Sequence, residues 1–261
     1  MKSSQIAAQL YSFRDFIRTP EGVEDTLARL HAIGYEAVQL SSSLAPMAPE
    51  QLAALLDRYS LTPCSAHESG ADILEKTSEI IEKLEKLHCS HVAYPGPHVN
   101  LTGRGEAVAL ARALNAKAEE FASKGITLAY HNHHVEFKRF GKETLLELIY
   151  ANAPQLEGEI DTYWVQYGGS DPVRWITRLA GRMRVLHIKD YAVDSPDRSS
   201  IWKVRPQMAS IGSGTLDWER IFEAAEASGV QWYVVEHDAD VVDPFESFEK
   251  SMKFLQNHFI Q

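Results

Sequence analysis

Cysteine is scarce: the 261 residues hold two, Cys64 and Cys89, both in apolar segments and at no ligand-like spacing. That excludes a disulfide framework or a cysteine-built zinc module and points to two inert thiols in a reducing compartment. A chain of this length buries enough core to need no covalent staples. Long apolar runs are also missing. No segment approaches the roughly 18 residues of a membrane helix, and Ser3, Ser4, Gln5, Gln9 and Ser12 interrupt any leader-like stretch near the start. A cytoplasmic protein with no membrane partner is expected. Positive charge is in deficit, since 26 Lys and Arg against 36 Asp and Glu leave a formal charge of −10. A nucleic-acid binder would carry the opposite balance.

What is present is an ordinary globular mixture, 44% hydrophobic and 24% charged, in which short β-rich runs alternate with helical patterns. The runs at 5–10, 36–40, 62–67, 91–94, 126–132, 157–161, 184–188 and 232–236 read as strands. Each is followed by helical periodicity, at 20–34, 49–59, 71–87, 105–123, 143–151, 171–179, 217–228 and 243–258. Thr19-Pro20, Asp171-Pro172 and Asp243-Pro244 are helix openings, with proline where its missing N–H costs little. Ile73, Leu74, Ile80, Ile81 and Leu84 share one stripe of the clearest helix. Eight strand–helix pairs without a linker-like break predict a single-domain (β/α)8 TIM barrel over 1–261, in preference to a doubly wound sheet. The long polar connection 189–213 follows a strand, so in a barrel it hangs over the catalytic face.

The last residues of these strands are repeatedly ionisable. They are His67-Glu68, His98, His131-Asn132-His133-His134, Asp161, His187 and Glu236. Barrel strand ends point into the mouth, so two imidazoles and two carboxylates meeting there form a mixed N/O set suited to one divalent Mn, Co, Zn or Fe ion. Alternation puts His131 and His133 on one side of their strand and Asn132 on the other. A metal in an open site would polarise a substrate carbonyl and acidify the adjacent C–H. Lys189 is a candidate substrate contact, and Glu136 a base or further ligand. Asp238 and His237 are candidate partners orienting Glu236, and Tyr163, Trp164 and Tyr167 candidate aromatic walls. Gly212-Ser213-Gly214 reads as a weak anion-cradle signal, and Arg198, Lys203 and Arg205 as basic loop residues.

The segments Leu-Ala-Tyr-His-Asn-His, Glu-Ile-Asp-Thr-Tyr-Trp, Leu-His-Ile-Lys-Asp, Gly-Ser-Gly-Thr-Leu-Asp-Trp and Val-Val-Glu-His-Asp, in that order, resemble the xylose-isomerase-like barrel superfamily, particularly its sugar phosphate isomerase/epimerase branch. The resemblance spans nearly the whole chain and implies Asp161, His187 and Glu236 as metal ligands. With the strand-end pattern, the expectation is a metal on His131, Asp161, His187 and Glu236, with Glu136 or His133 moving the proton, Lys189 binding a substrate oxygen, and His67, Asn132 and Trp164 contacting a small sugar. Two positions depart from the ketose epimerases: His131 stands where they carry glutamate, and Trp164 replaces a substrate-binding histidine. The expected activity is therefore sugar isomerisation or epimerisation by proton abstraction beside a carbonyl. A keto-sugar dehydratase or 3-keto-glycoside lyase on the same site is the first alternative, and a non-catalytic sugar-binding barrel the second. The abasic-site nuclease branch fits poorly with Trp164 and with the acidic charge. A homo-oligomer is compatible with the sequence.

Overall fold

The structure is a computed structural model that describes residues 1–195, 200–239 and 243–260; Arg198 lies outside them. Eight parallel strands close into a barrel: β1 (Ile6–Gln9), β2 (Ala37–Ser41), β3 (Thr62–His67), β4 (His91–Tyr94), β5 (Thr127–His131), β6 (Glu157–Asp161), β7 (Val185–Ile188) and β8 (Trp232–Val235). Each strand pairs with its neighbours in sequence, and β1 closes the ring on β8 through Ala7 and Val234. The intervening helices are α1 (Pro20–Ile33), α2 (Pro49–Arg58), α3 (Gly70–Glu75), α4 (Thr77–Lys86), α5 (Arg104–Ala122), α6 (Leu145–Asn152), α7 (Thr162–Tyr167), α8 (Pro172–Arg178), α9 (Trp218–Ala227) and α10 (Pro244–His258).

The helix starts follow from local chemistry. Thr19, Asp171 and Asp243 each accept a backbone N–H of the first turn through the side chain, directly before a proline that cannot donate one. Gly34 ends α1 at φ 111°, a conformation cheap only without a Cβ. The helical run expected over 71–87 is two helices, because Lys76 leaves helical geometry at ψ 33°. The Thr77 hydroxyl donates back to the Ile73 carbonyl at 2.8 Å across that break.

Period two divides the strand side chains between an outer layer and the lumen. Outward residues such as Ile6, Ala8, Val38, Ile160 and Leu186 pack under the helices in one continuous core. Ala7, Ala37, Cys64, Val185 and Val234 form a separate small cluster, an apolar plug in the lumen. Above the plug the lumen turns polar. Gln9, Gln39, Ser65, Glu159 and His187 are all fully or almost fully buried there. Strand interiors are thus not uniformly apolar. An extra residue in β3, where Val38 pairs with Pro63 but Gln39 with Ser65, sets Ser65 level with Gln39 in this polar layer.

The connection after β7 is not a plain loop. Asp190–Asp194 and Arg205–Ala209 pair as an antiparallel ribbon. Arg205 lies exposed on it, and Lys203 lies exposed in the turn Ile201–Lys203 that precedes its second strand. Among the described residues, no helix is long and apolar enough to cross a membrane.

Candidate active site

His131, Asp161, His187 and Glu236 come from the C-terminal ends of β5 to β8 and converge. All four are buried, and one ligand atom from each lies within 4.8 Å of the others. Strand register accounts for this, since Asp161 pairs directly with His187 across β6 and β7. His187 Nδ1 is 2.8 Å from Glu236 Oε2. Lys189 points its ammonium into the same space, 3.0 Å from Glu236 Oε2, 3.3 Å from Asp161 Oδ2 and 3.5 Å from Asp238 Oδ1.

Burial and mutual charge displace every titration here. Burial raises Asp161 to about 6, partly countered by Lys189 and reinforced by Glu236. Glu236 is held well below the usual carboxylate range, because Lys189 and His187 outweigh its burial. Burial favours neutral His187, but Glu159 and Glu236 overcome it and raise the imidazole to about 10. Lys189 is raised against its burial by Asp161, Asp238 and Glu236. His131 is held well below its ordinary value by burial and by His187. Clusters perturbed in this way by desolvation and specific charges mark functional sites.

Two atoms of the cluster are left over. His131 Nδ1 and Asp161 Oδ2 are buried without a hydrogen-bond partner among the described residues; the charged groups nearest them are Glu159 Oε1 at 3.4 Å and Lys189 Nζ at 3.3 Å. Such orphans are costly unless something else satisfies them. A buried N2O2 donor set with orphaned lone pairs fits a divalent cation of the Mn, Co, Zn or Fe type, so this cluster could hold a metal ion.

The cluster opens into a cavity of about 360 Å³ at the barrel mouth, lined by Tyr11, Ser41, Ser42, His67, Pro95, His98, His131, His133, Glu236 and Asp238. That volume suits a small molecule. A roomier groove between α1 and α10, about 480 Å³, is lined by Arg29, Glu246, Glu249 and Lys253 among others; it lacks a comparable set of buried, perturbed groups.

Other candidates sort by geometry. His133 faces the cavity and is pushed down to about 3 by burial and by Lys189. Trp164 packs against His133 and His134 with ring centroids 5.4 and 5.1 Å apart, and the Lys189 ammonium lies 5.5 Å from its ring. Glu136 sits behind the mouth. It is fully buried, with Oε1 accepting from the Tyr130 hydroxyl at 2.9 Å and Oε2 from the His133 backbone N–H at 2.8 Å. Burial nevertheless raises it to about 7. Asn132 is equally buried and braces the barrel, its Oδ1 accepting from the Asp161 N–H at 3.1 Å. Neither lines the cavity. Glu68 pairs with Lys83 at 2.6 Å, and His237 Nδ1 lies 2.6 Å from Ser247 Oγ on α10.

The glycine segment does surround an anion, but an internal one. The Asp190 carboxylate accepts from the backbone N–H groups of Gly212 and Gly214, both at 2.9 Å, and from the Trp218 indole at 3.0 Å. A Cβ on Gly214 would fall 2.3 Å from Asp190 Oδ1. Glu159, which sequence reasoning missed, lies beneath the cluster. The signal was available: it is two residues before Asp161 and therefore faces the same lumen.

The family model of the Xylose isomerase-like TIM barrel matches residues 27–258, and the chain belongs to that family. Among curated proteins it is similar to an inosose dehydratase from Geobacillus thermodenitrificans, 26% identical over 55% of this chain and 51% of that protein. The chain thus matches about half the length of that relative. Among solved structures, a sugar phosphate isomerase/epimerase from Parabacteroides distasonis superposes with a TM-score of 0.80 at 22% identity, over 99% of this chain and 96% of the other. The probable 3-DHS dehydratase AsbF from Bacillus anthracis gives 0.73 at 15% identity, covering 99% and 100%.

Proposed function

We propose that this chain is a divalent-metal-dependent dehydratase of small polyhydroxylated ketones, keto-cyclitols or keto-sugars, that removes a proton beside the carbonyl and expels a β-hydroxyl. The observation that carries this reading is the buried His131, Asp161, His187 and Glu236 cluster with two orphaned lone pairs, opening on a small-molecule cavity. A bound metal would supply Lewis-acid polarisation of the substrate carbonyl. The chain's own residues do the rest. Ser41, Ser42, His67 and His98 offer hydroxyl and imidazole partners to a polyol. Lys189, ion-paired to Asp161, Glu236 and Asp238, holds those carboxylates in place, and Trp164 shields the wall behind His133.

His133 takes the C–H proton, the β C–O bond breaks, and the same imidazole returns that proton to the departing hydroxide, which leaves as water. Elimination can use one group in both directions. Asp238, the carboxylate that lines the cavity outside the cluster, is tied to Lys189. The relatedness to inosose dehydratases, over about half of their length, supports the same class. Isomerisation or epimerisation is the second reading, and it is favoured by Asp238 if that carboxylate leaves Lys189 and supplies a second proton-transfer site.

Incubating the metal-loaded enzyme with a panel of keto-inositols and 3-keto-sugars in D2O, followed by mass spectrometry, tests this. Loss of water is the expected result, and His133→Ala should slow it about 10²–10⁴-fold. Solvent deuterium in an isomerised product, without loss of water, would move the assignment to isomerase. Binding without hydrogen exchange would leave a sugar-binding barrel.

A further inference from the structure

Beneath the upper cluster lies a polar layer that the proposed chemistry does not use. Glu159 is fully buried at its centre. Its Oε1 is 2.5 Å from His67 Nε2, 3.0 Å from His187 Nε2 and 3.4 Å from His131 Nδ1. Its Oε2 accepts from Gln39 Nε2 at 2.9 Å and from Ser65 Oγ at 3.4 Å. Gln39 Oε1 in turn lies 2.7 Å from His187 Nε2 and accepts from the Gln9 amide. One carboxylate therefore touches three imidazoles, and the donors beneath it fix its own orientation.

His187 is the joint between the two layers, with Nδ1 against Glu236 above and Nε2 against Glu159 and Gln39 below. An imidazole serves a metal well when its other nitrogen donates to a carboxylate, because that bond selects the tautomer, locks the ring plane and raises the basicity of the ligating nitrogen. On the metal-dependent reading given above, we propose that Glu159 is a positioning residue: it accepts the Nε2–H of His187, holds His67 in place, and leaves the His187 Nδ1 lone pair aimed at the upper cluster.

The same atoms allow one competing use. Ligand atoms of His67, His131, Glu159 and His187 also lie within 4.8 Å of one another, the proximity a second cation would need. Positioning fits better. Both Glu159 oxygens already have partners, Gln39 and Ser65 donating to Oε2, and a lower ion would take His187 Nε2 away from its fixed contacts.

Titrating the apo full-length protein with Co²⁺ by competition against a chromophoric chelator, and recording the visible Co²⁺ spectrum, tests the proposal in wild type, Glu159→Gln, Glu159→Leu and Asp161→Ala. The expectation is one Co²⁺ per wild-type chain. Both Glu159 variants should keep that stoichiometry with affinity lowered roughly 10–100-fold and a displaced absorption envelope. Asp161→Ala should lose the site. The isosteric glutamine guards against a leucine variant that fails to fold. Wild-type affinity and spectrum in Glu159→Gln would overturn the positioning role while leaving the metal reading intact. Two ions per wild-type chain, with one lost in Glu159→Leu, would overturn it by making Glu159 a ligand. A wild type that binds no Co²⁺ would overturn the metal reading and this inference with it.

Discussion

His91, at the base of the barrel, is buried with its Nε2 unpaired among the described residues and its Nδ1 3.0 Å from Ser90 Oγ. Burial, with help from Arg184 and against Glu159, pushes it down to about 4. Its folded value lies below its unfolded one, so as pH falls the unfolded chain takes up the proton first. The stability from neutral His91 is complete above about pH 6.5 and drains away down to about 4; about 2 kcal/mol goes between pH 7 and pH 5. Urea titrations of wild type and His91→Asn, matched for metal content, should show the smaller pH dependence in the variant. Identical pH slopes would refute the assignment. At this scale the sequence was legible where a side chain ends a strand, as with Asp161, His187 and Glu236. It was illegible where facing decided the matter. Glu136 lies close to His131 in sequence yet turns behind the mouth, and Glu159, inside its strand, carries no strand-end mark.

The segment after β7 behaves as an element because Asp190 organises it. The carboxylate gathers the backbone N–H groups of Tyr191, Gly212 and Gly214 and the Trp218 indole, at 2.8 to 3.0 Å. It thereby joins the ribbon of Asp190–Asp194 and Arg205–Ala209 to the start of α9. Asp190→Ala would leave buried donors unpaired and should cost about 2–4 kcal/mol in urea unfolding, with faster proteolysis confined to residues 189–213. A loss under about 0.5 kcal/mol, within the range of an ordinary surface substitution, would show that the carboxylate is dispensable. Sequence periodicity found β3, β4 and β6 at their observed limits, since each is a short β-rich run bounded by turn or cap residues. It missed α7, whose six residues are too few to show a period and whose N-cap, Asp161, was read as a ligand alone. The ribbon escaped for the same reason: a two-stranded excursion buries too little to impose alternation.

For the whole molecule, closure is what turns eight strand ends into a site. The order β1 to β8 returning on β1 aims the ends of β5, β6, β7 and β8 at one point above an apolar plug and a polar layer. The eightfold alternation made the architecture readable from the chain, whereas the depth of each lumen side chain is fixed only by register and by the β3 bulge. On the proposed reading this point is a divalent-metal centre. Elemental analysis of the purified protein beside Asp161→Ala and His187→Ala decides it. About one Mn, Co, Zn or Fe per wild-type chain, lost in both variants, is the predicted result. A wild type that takes up none of these ions after incubation, or variants that retain the wild-type content, would contradict it.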